Sequence, residues 1–161
     1  MYKCAVLTIS DSCFQKARED TSGPAVMSLV KTLPAEIVQY AVLPDDLDAI
    51  AGRLQQLCDE TKVDLILTTG GTGFFRRDVT PEATRKVIER EVPGIPEVMR
   101  AEGLKSTRRA MLSRGLAGLR GTTLIINLPG SPRGAGESLS AVMDQLGHSL
   151  DMIAGRPHQG G

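Results

Sequence analysis

Residues 65–83 read LILTTGGTGFFRRDVTPEA, and this segment decides the fold. Its first five residues form an apolar, partly β-branched run that predicts a buried strand. The glycines that follow predict a tight loop. Thr80 and Pro81 predict the start of a helix, because Thr is a favoured N-cap and Pro a favoured first helical residue. A strand, a glycine loop and a helix in this order are typical of α/β proteins.

Three other apolar runs predict buried strands at residues 4–9, 37–43 and 122–128. Capping residues and helical periodicity predict helices over residues 21–33, 47–60, 80–90, 97–104 and 138–153. The strands lack clean polar–apolar alternation, which indicates burial on both faces. The predicted fold is therefore α/β: a three-layer sandwich with a mostly parallel sheet and helices on both faces. Residues 105–120, rich in arginine, show no clear pattern.

The length and composition set the organisation and exclude some functions. The 161 residues predict a single domain over residues 1–155 and a short flexible tail over residues 156–161. Lys+Arg and Asp+Glu both total 19, which disfavours a general nucleic-acid or membrane binder. The N-terminus lacks a signal-peptide layout, and the three cysteines form no CxxC pair. This usage predicts a cytoplasmic protein with reduced thiols.

Ligands of open α/β sheets bind beyond the carboxyl ends of the strands. Four predicted strands end in polar or glycine-rich loops, and parallel strands would bring these loops to one edge: Ser10-Asp11, Pro44-Asp45-Asp46, residues 70–78 and residues 129–134. The GGTG loop suits a phosphate, because glycines let backbone N–H groups approach an anion. The same glycines can equally be required by the turn alone. The loop matches neither a Walker A motif nor a dinucleotide fingerprint.

Three aspartates near these loops have two interpretations. Asp45, Asp46 and Asp78 all precede predicted helices, where a carboxylate can simply cap or favour the helix N-terminus. Alternatively, carboxylates beside bound phosphates require a cation between them, and Mg²⁺ takes one or two carboxylates plus phosphate oxygens. Arg76 and Arg77 are likewise either solvated surface residues or anion ligands.

At these residues the chain resembles the Mog/MoaB family of molybdenum cofactor biosynthesis proteins. The matching segments occur in the family's order and span nearly the whole chain: LTISDS at 7–12, DTSGP at 20–24, LPDD at 43–46, LILTTGGTG and RRDVTPEAT within 65–84, LSRG at 112–115, and TLIINLPGSPRG at 123–134. The resemblance implies a molybdopterin adenylyltransferase, which transfers AMP from ATP to the terminal phosphate of molybdopterin and releases pyrophosphate. An alternative is a paralogue that binds molybdopterin or acts as a scaffold without turnover.

The resemblance also implies roles for individual residues and for partners. Asp45 and Asp78 match the family's acidic catalytic positions and would hold Mg²⁺. The implied nucleotide and phosphate site comprises Ser10, Asp11, Gly70, Gly71, Thr72 and Gly73. The implied molybdopterin site comprises Ser113, Arg114, Pro129, Gly130 and Ser131. The family further implies a homotrimer or a hexamer, and a transfer partner for later molybdenum insertion.

Overall fold

The four predicted strands lie side by side in a six-stranded mixed sheet in the computed structural model, which describes residues 1–157. The strands are β1 (Tyr2–Ile9), β2 (Ala35–Leu43), β3 (Leu65–Thr69), β4 (Arg90–Glu91), β5 (Ala117–Arg120) and β6 (Thr123–Leu128). Their order is β2-β1-β3-β6-β5-β4. Strands β2, β1, β3 and β6 are parallel, whereas β5 and β4 extend the sheet in antiparallel fashion.

Six α-helices and two irregular helical turns connect the strands. The α-helices are α1 (Asp11–Phe14), α2 (Ser22–Val30), α3 (Leu47–Gln56), α4 (Thr80–Val87), α5 (Gly94–Gly103) and α6 (Pro132–Ile153). A π-helical turn (Leu57–Thr61) continues α3, and a 3₁₀ helix (Arg108–Leu112) follows α5. Over residues 1–157, no helix has the length and apolar character needed to cross a membrane.

The helices cover both faces of the sheet, which confirms the predicted three-layer α/β sandwich. Successive strand residues point to opposite faces. Val6 and Leu67 therefore pack in one hydrophobic cluster with side chains of α2, α5 and α6. Leu7 and Ile66 pack in a second cluster with side chains of α3 and α4. The central strands are buried on both faces, and this explains their continuous apolar sequences.

Strands β4 and β5 were not predicted from the sequence. β4 has only two residues, and β5 has four, including Gly118, which is disfavoured in strands. The β5–β6 connection turns at Gly121, whose φ of +55° is in the left-handed region that glycine tolerates. Pairing with β6 provides the order that the local sequence does not predict.

Two helix starts were also placed too late. The predicted start of α6 was residue 138, but the helix begins at Pro132 after Ser131, whose Oγ accepts a hydrogen bond from the N–H of Gly134 at 3.0 Å. Glycines in its first two turns have low helix propensity and look like loop residues. Helix α5 begins at Gly94, so the Pro-rich segment predicted as a break forms its first turn.

The structure describes residues 156 and 157 of the predicted tail. Arg156 donates its backbone N–H to the carbonyl of Asp151 at 2.9 Å, and its guanidinium lies 5.8 Å from the centre of the Tyr2 ring. Residue 156 therefore packs against the domain. Residues 158–161 lie outside the described part of the chain.

Candidate functional site

The loops after the parallel strands meet at one edge of the sheet, as the sequence predicts. The N–H of Ser10 donates to the carbonyl of Leu43 at 2.9 Å, which joins the ends of β1 and β2. The N–H of Gly70 donates to the carbonyl of Leu128 at 3.1 Å, which joins the ends of β3 and β6. The hydroxyl of Thr69 also donates to the carbonyl of Pro129 at 2.6 Å. Segments far apart in the sequence thus form one continuous surface.

Asp11 and Asp45 connect two of these loops by reciprocal hydrogen bonds. The N–H of Asp11 donates to Oδ2 of Asp45 at 2.9 Å, and the N–H of Asp45 donates to Oδ1 of Asp11 at 3.0 Å. Arg77 forms an ion pair with the carboxylate of Asp11. A hydrogen bond from Arg77 is the main reason why the pKa of Asp11 lies below its usual value. Asp11 therefore serves as a junction between three loops.

The carboxylate of Asp45 lies in an electrostatically unfavourable environment. Burial raises its pKa above the usual range, and the negative charges of Asp11 and Asp78 raise it further. The hydrogen bond from Asp11 and the charge of Arg77 oppose this shift. Its neighbour Asp46 has the simple capping role, because Oδ2 of Asp46 accepts the N–H of Ala49 at 2.9 Å at the start of α3. The two adjacent aspartates therefore have different roles.

Asp78 fixes the far end of the glycine loop. Its Oδ2 accepts the N–H of Phe75 at 2.9 Å, and its own N–H donates to the carbonyl of Phe75, also at 2.9 Å. A methyl group added to Gly73 would lie 2.8 Å from this Oδ2. Asp78 therefore sits against the glycine backbone just before α4.

Two glycines of the loop are required by its geometry. Gly70 and Gly71 have φ values of +104° and +70°, which disfavour any side chain. A Cβ on Gly70 would lie 2.3 Å from the carbonyl oxygen of Ile9, and a Cβ on Gly71 would lie 2.2 Å from Oγ1 of Thr80. The predicted capping role of Thr80 is wrong. Val79 occupies the N-cap position, and the Thr80 hydroxyl donates to the carbonyl of Gly70 at 2.9 Å.

The same loop also offers free donors. Within residues 1–157, the N–H groups of Gly71, Thr72 and Gly73 donate no hydrogen bond to protein atoms. Consecutive free N–H groups in a glycine turn form a concave site suited to an anion. The steric and the ligand-binding interpretations of GGTG are therefore compatible.

Arg114, which lies in a different segment of the chain, binds the backbone of the glycine loop by hydrogen bonds. Its Nε donates to the carbonyl of Gly73 at 2.8 Å, and its Nη2 donates to the carbonyl of Asp78 at 2.8 Å. Its backbone N–H donates to the carbonyl of Thr72 at 2.9 Å, and its Nη1 pairs with Glu82. One guanidinium thus bridges both ends of the segment between residues 73 and 78.

Two pockets adjoin each other at the loops that follow the parallel strands. The Ser10 pocket, of about 720 Å³, is lined by Ser10, Asp20, Asp45, Gly70, Gly71 and Asp78, among others. The Ser113 pocket, of about 610 Å³, is lined by Thr72, Gly73, Arg100, Arg109, Ser113 and Pro129, among others. Both pockets share five residues: Gly71, Phe75, Asp78, Gly130 and Ser131. Asp78 therefore faces both spaces, whereas Asp45 lines only the first.

The predicted site residues divide between these pockets. Of the implied nucleotide residues, Ser10 and Gly70 line the Ser10 pocket, Gly71 lines both, and Thr72 and Gly73 line the Ser113 pocket. Of the implied molybdopterin residues, Ser113 and Pro129 line the Ser113 pocket, and Gly130 and Ser131 line both. Asp11 and Arg114 line neither pocket, and their side chains bind other parts of the protein instead.

Asp20 is a site residue that sequence reasoning missed. Its Oδ1 accepts the N–H groups of Ser22 and Gly23 at the start of α2, and its Oδ2 accepts the hydroxyls of Thr8 and Tyr40. Burial and the Asp20 carboxylate raise the pKa of Tyr40 to about 12. The spacing of an Asp two residues before Ser22 at a helix start was the available signal. Asp20 shapes one wall of the Ser10 pocket.

The donor set fits a hard divalent cation shared with a ligand. Within residues 1–157 there is no cluster of three or more His, Cys, Asp or Glu side chains that could hold a metal ion. Asp45 and Asp78 line one pocket, and the charge of Asp78 adds to the larger effect of burial in raising the pKa of Asp45. Two carboxylates that line one pocket match the way Mg²⁺ binds between protein and phosphate oxygens.

Comparisons with known proteins identify the relatives of this site. Residues 5–148 match the family model described as "Probable molybdopterin binding domain". The chain is 42% identical over 153 residues to the molybdopterin adenylyltransferase of Helicobacter pylori, covering 93% of this chain and 86% of that protein. It is 44% identical over 149 residues to the molybdenum cofactor synthesis protein cinnamon of Drosophila melanogaster, covering 92% of this chain but only 25% of that longer protein.

The structural comparison agrees with the sequence comparison. The crystal structure of the molybdopterin biosynthesis enzyme MoaB from Thermus thermophilus superimposes with a TM-score of 0.93 at 48% identity. The match covers 99% of this chain and all of that one. Fold and sequence therefore identify the same set of relatives.

Proposed function

This chain belongs to the family of molybdopterin-binding domains of molybdenum cofactor biosynthesis, and we propose that it is a molybdopterin adenylyltransferase. The reaction transfers AMP from ATP to the terminal phosphate of molybdopterin. One observation supports the proposal: two pockets adjoin at a glycine loop with free N–H groups, and Asp78 lines both pockets. This arrangement suits a reaction between two phosphorylated substrates.

The Ser10 pocket is proposed to hold ATP, and the Ser113 pocket is proposed to hold molybdopterin. A terminal phosphate oxygen of molybdopterin attacks the α-phosphorus of ATP, and the bond from that phosphorus to the bridging oxygen breaks to release pyrophosphate. A phosphate monoester has its second pKa near about 6, so the nucleophile is already largely a dianion at neutral pH. It requires little help from a general base. Asp45 and Asp78 therefore help to balance the charge of the phosphates and to position them, and they do not act as a general base.

Positioning and charge neutralisation dominate such a transfer. The N–H groups of Gly71, Thr72 and Gly73 bind phosphate oxygens, and Asp78 keeps the loop in place through Phe75. Asp45 and Asp78 are the proposed ligands of Mg²⁺. When bound, Mg²⁺ neutralises phosphate charge and lets two anions approach each other.

The alternative is a paralogue that binds molybdopterin without turnover. Both acidic residues are present at one pocket, so the enzyme is the favoured function. Supplying ATP, Mg²⁺ and molybdopterin and following pyrophosphate and adenylylated product separates the two. Binding of molybdopterin by the unmodified protein without any product would select the scaffold. Failure to bind molybdopterin would reject both functions.

Substitutions at the aspartates give the matched test. We expect Asp45→Asn and Asp78→Asn to lose turnover while molybdopterin binding persists. Asp46→Asn is the control, because it removes a neighbouring charge while Asn caps a helix as well as Asp does. Equal losses in all three variants would show that net charge alone matters and would refute the assignment of Asp45 and Asp78.

Oligomeric state and location complete the proposal. The family resemblance suggests a homotrimer, which would have a mass of about 52 kDa, three times the chain mass of 17.2 kDa. Light scattering after size-exclusion chromatography measures this directly, and a mass of twice this value would indicate a hexamer. A cytoplasmic location is supported by three buried free thiols. A partner for later molybdenum insertion is proposed on the resemblance.

A further inference from the structure

The tip of the glycine loop carries two exposed aromatic side chains, Phe74 and Phe75, which are 70% and 85% exposed. The third phenylalanine of the chain, Phe14, is exposed as well. The two hydrophobic clusters of the described core contain no phenylalanine. Large apolar groups held in solvent beside a pocket contribute little to the packing of the monomer, and their position makes them candidates for binding a ligand.

The backbone beneath these rings is fixed. The N–H and the carbonyl of Phe75 both bond to Asp78 at 2.9 Å. Arg114 holds the carbonyls of Gly73 and Asp78 on either side. An exposed ring on a backbone that is already ordered loses little conformational freedom when a ligand covers it. The tip is therefore organised for binding before the ligand arrives.

The two rings differ in the space they reach. Phe74 lines only the Ser113 pocket, whereas Phe75 lines both pockets. Among the described residues that line the Ser10 pocket, Phe75 is the only aromatic one. The remaining lining is rich in hydroxyls, glycines and carboxylates, which suit phosphates and a metal ion, and Ile9, Arg18 and Pro132 are its other apolar or planar groups.

We propose that Phe75 is the residue on which the purine ring of the nucleotide stacks. This inference rests on the proposed function for the assignment of a nucleotide to the Ser10 pocket. Aromatic side chains stack on bases through their π faces, and such stacking tolerates different bases. Phe75 therefore contributes affinity for a purine nucleoside triphosphate and does not distinguish adenine from guanine.

The absence of tryptophan from the sequence allows a direct test. Phe75→Trp introduces a single indole fluorophore at the proposed contact, and Phe74→Trp introduces the same fluorophore one residue away. We expect ATP with Mg²⁺ to quench the Phe75→Trp emission in a saturable manner. Tripolyphosphate, which lacks the base, should bind without comparable quenching. ATP should change the Phe74→Trp emission far less.

Kinetics provide the second readout. We expect Phe75→Ala to raise KM for ATP about tenfold, because stacking on a base is lost, and to lower kcat by a smaller factor. Phe75→Trp should restore KM. The melting temperature of Phe75→Ala should match that of the unmodified protein, because the ring is exposed. Tight ATP binding without quenching, or a KM for Phe75→Ala within twofold of the original, would overturn the inference.

Failure of this inference is distinguishable from failure of the proposed function. Quenching by ATP requires no turnover, so a protein that quenches but forms no product retains the stacking site and loses the proposed activity. A protein that forms product while Phe75→Trp shows no quenching retains the activity and loses the stacking site.

Discussion

The substitution Arg114→Met removes the side-chain hydrogen bonds that join the two ends of the segment between residues 73 and 78. Arg114 donates to the carbonyls of Gly73 and Asp78 at 2.8 Å each. Hydrogen bonds from a charged donor contribute about 1.5–3 kcal/mol each, and the side chain is 35% exposed, so water replaces part of this contribution. We expect the free energy of unfolding to fall by about 2 kcal/mol, and the melting temperature to fall by about 4–8 °C.

The larger effect should be on catalysis. Without the bridge, Asp78 loses the contact that fixes its carbonyl, and a displacement of about 1 Å at a reacting centre costs about 100-fold in rate. Single-turnover formation of adenylylated molybdopterin, at saturating concentrations of both substrates, measures this loss. Arg114→Lys should be nearly as slow, because one ammonium lacks the planar fork that reaches both carbonyls.

Glu82→Gln is the matched control. It removes the ion pair to Arg114 but keeps both carbonyl bonds, and exposed pairs contribute only about 0–1 kcal/mol. Its rate should stay within a few-fold of the original. If Arg114→Met instead raised KM for molybdopterin and left kcat intact, Arg114 would be a direct ligand, as the family resemblance implies, and its positioning role would be refuted.

Three other perturbations test different parts of the structure. Gly71→Ala should lower the free energy of unfolding by about 2 kcal/mol or more, because φ is +70° and the new Cβ would meet Thr80. The control, Gly52→Ala on the open surface of α3, should raise the free energy of unfolding by about 0.5–1 kcal/mol, and urea titration measures both changes. Burial and neighbouring carboxylates raise the pKa of Asp45, so an NMR titration of its carboxyl group in the free protein without Mg²⁺ should give a midpoint above about 3.9, and a midpoint at or below that value would contradict the reasoning. Burial raises the pKa of the Cys4 thiol to about 12, so iodoacetamide should alkylate Cys4 only after unfolding, and mass spectrometry of the native protein should find it unmodified.

The parallel core of the fold could be predicted because its signals are local. Residues 65–69 and 123–128 are apolar runs, and burial on both faces requires that pattern. The antiparallel extension could not be predicted, because β4 and β5 are ordered by pairing with neighbours and carry no pattern of their own. The early start of α6 was hidden by Gly134 and Gly136, of which Gly134 packs close to Ser131 and Pro129.

The convergence of the site could also be predicted, but its internal connections could not. Topology places the ends of parallel strands at one edge, so Asp45 and Asp78 were expected to lie near each other. The reciprocal bonds between Asp11 and Asp45 depend on backbone orientation in two separate loops. The partners of Arg114 depend on a long side chain that crosses from another segment. Neither is encoded in a short sequence pattern.

The glycine loop consists of two parts with different tolerance to mutation. Gly70 and Gly71 are fixed by their positive φ angles and by the atoms of Ile9 and Thr80 against which they pack. The side chains of residues 74–76 are exposed, and the hydrogen bonds that hold this tip involve only the backbone of Phe75. A library randomised at residues 74–76 should therefore yield folded proteins that differ in their affinity for the nucleotide, which makes the tip the place to begin tuning substrate binding.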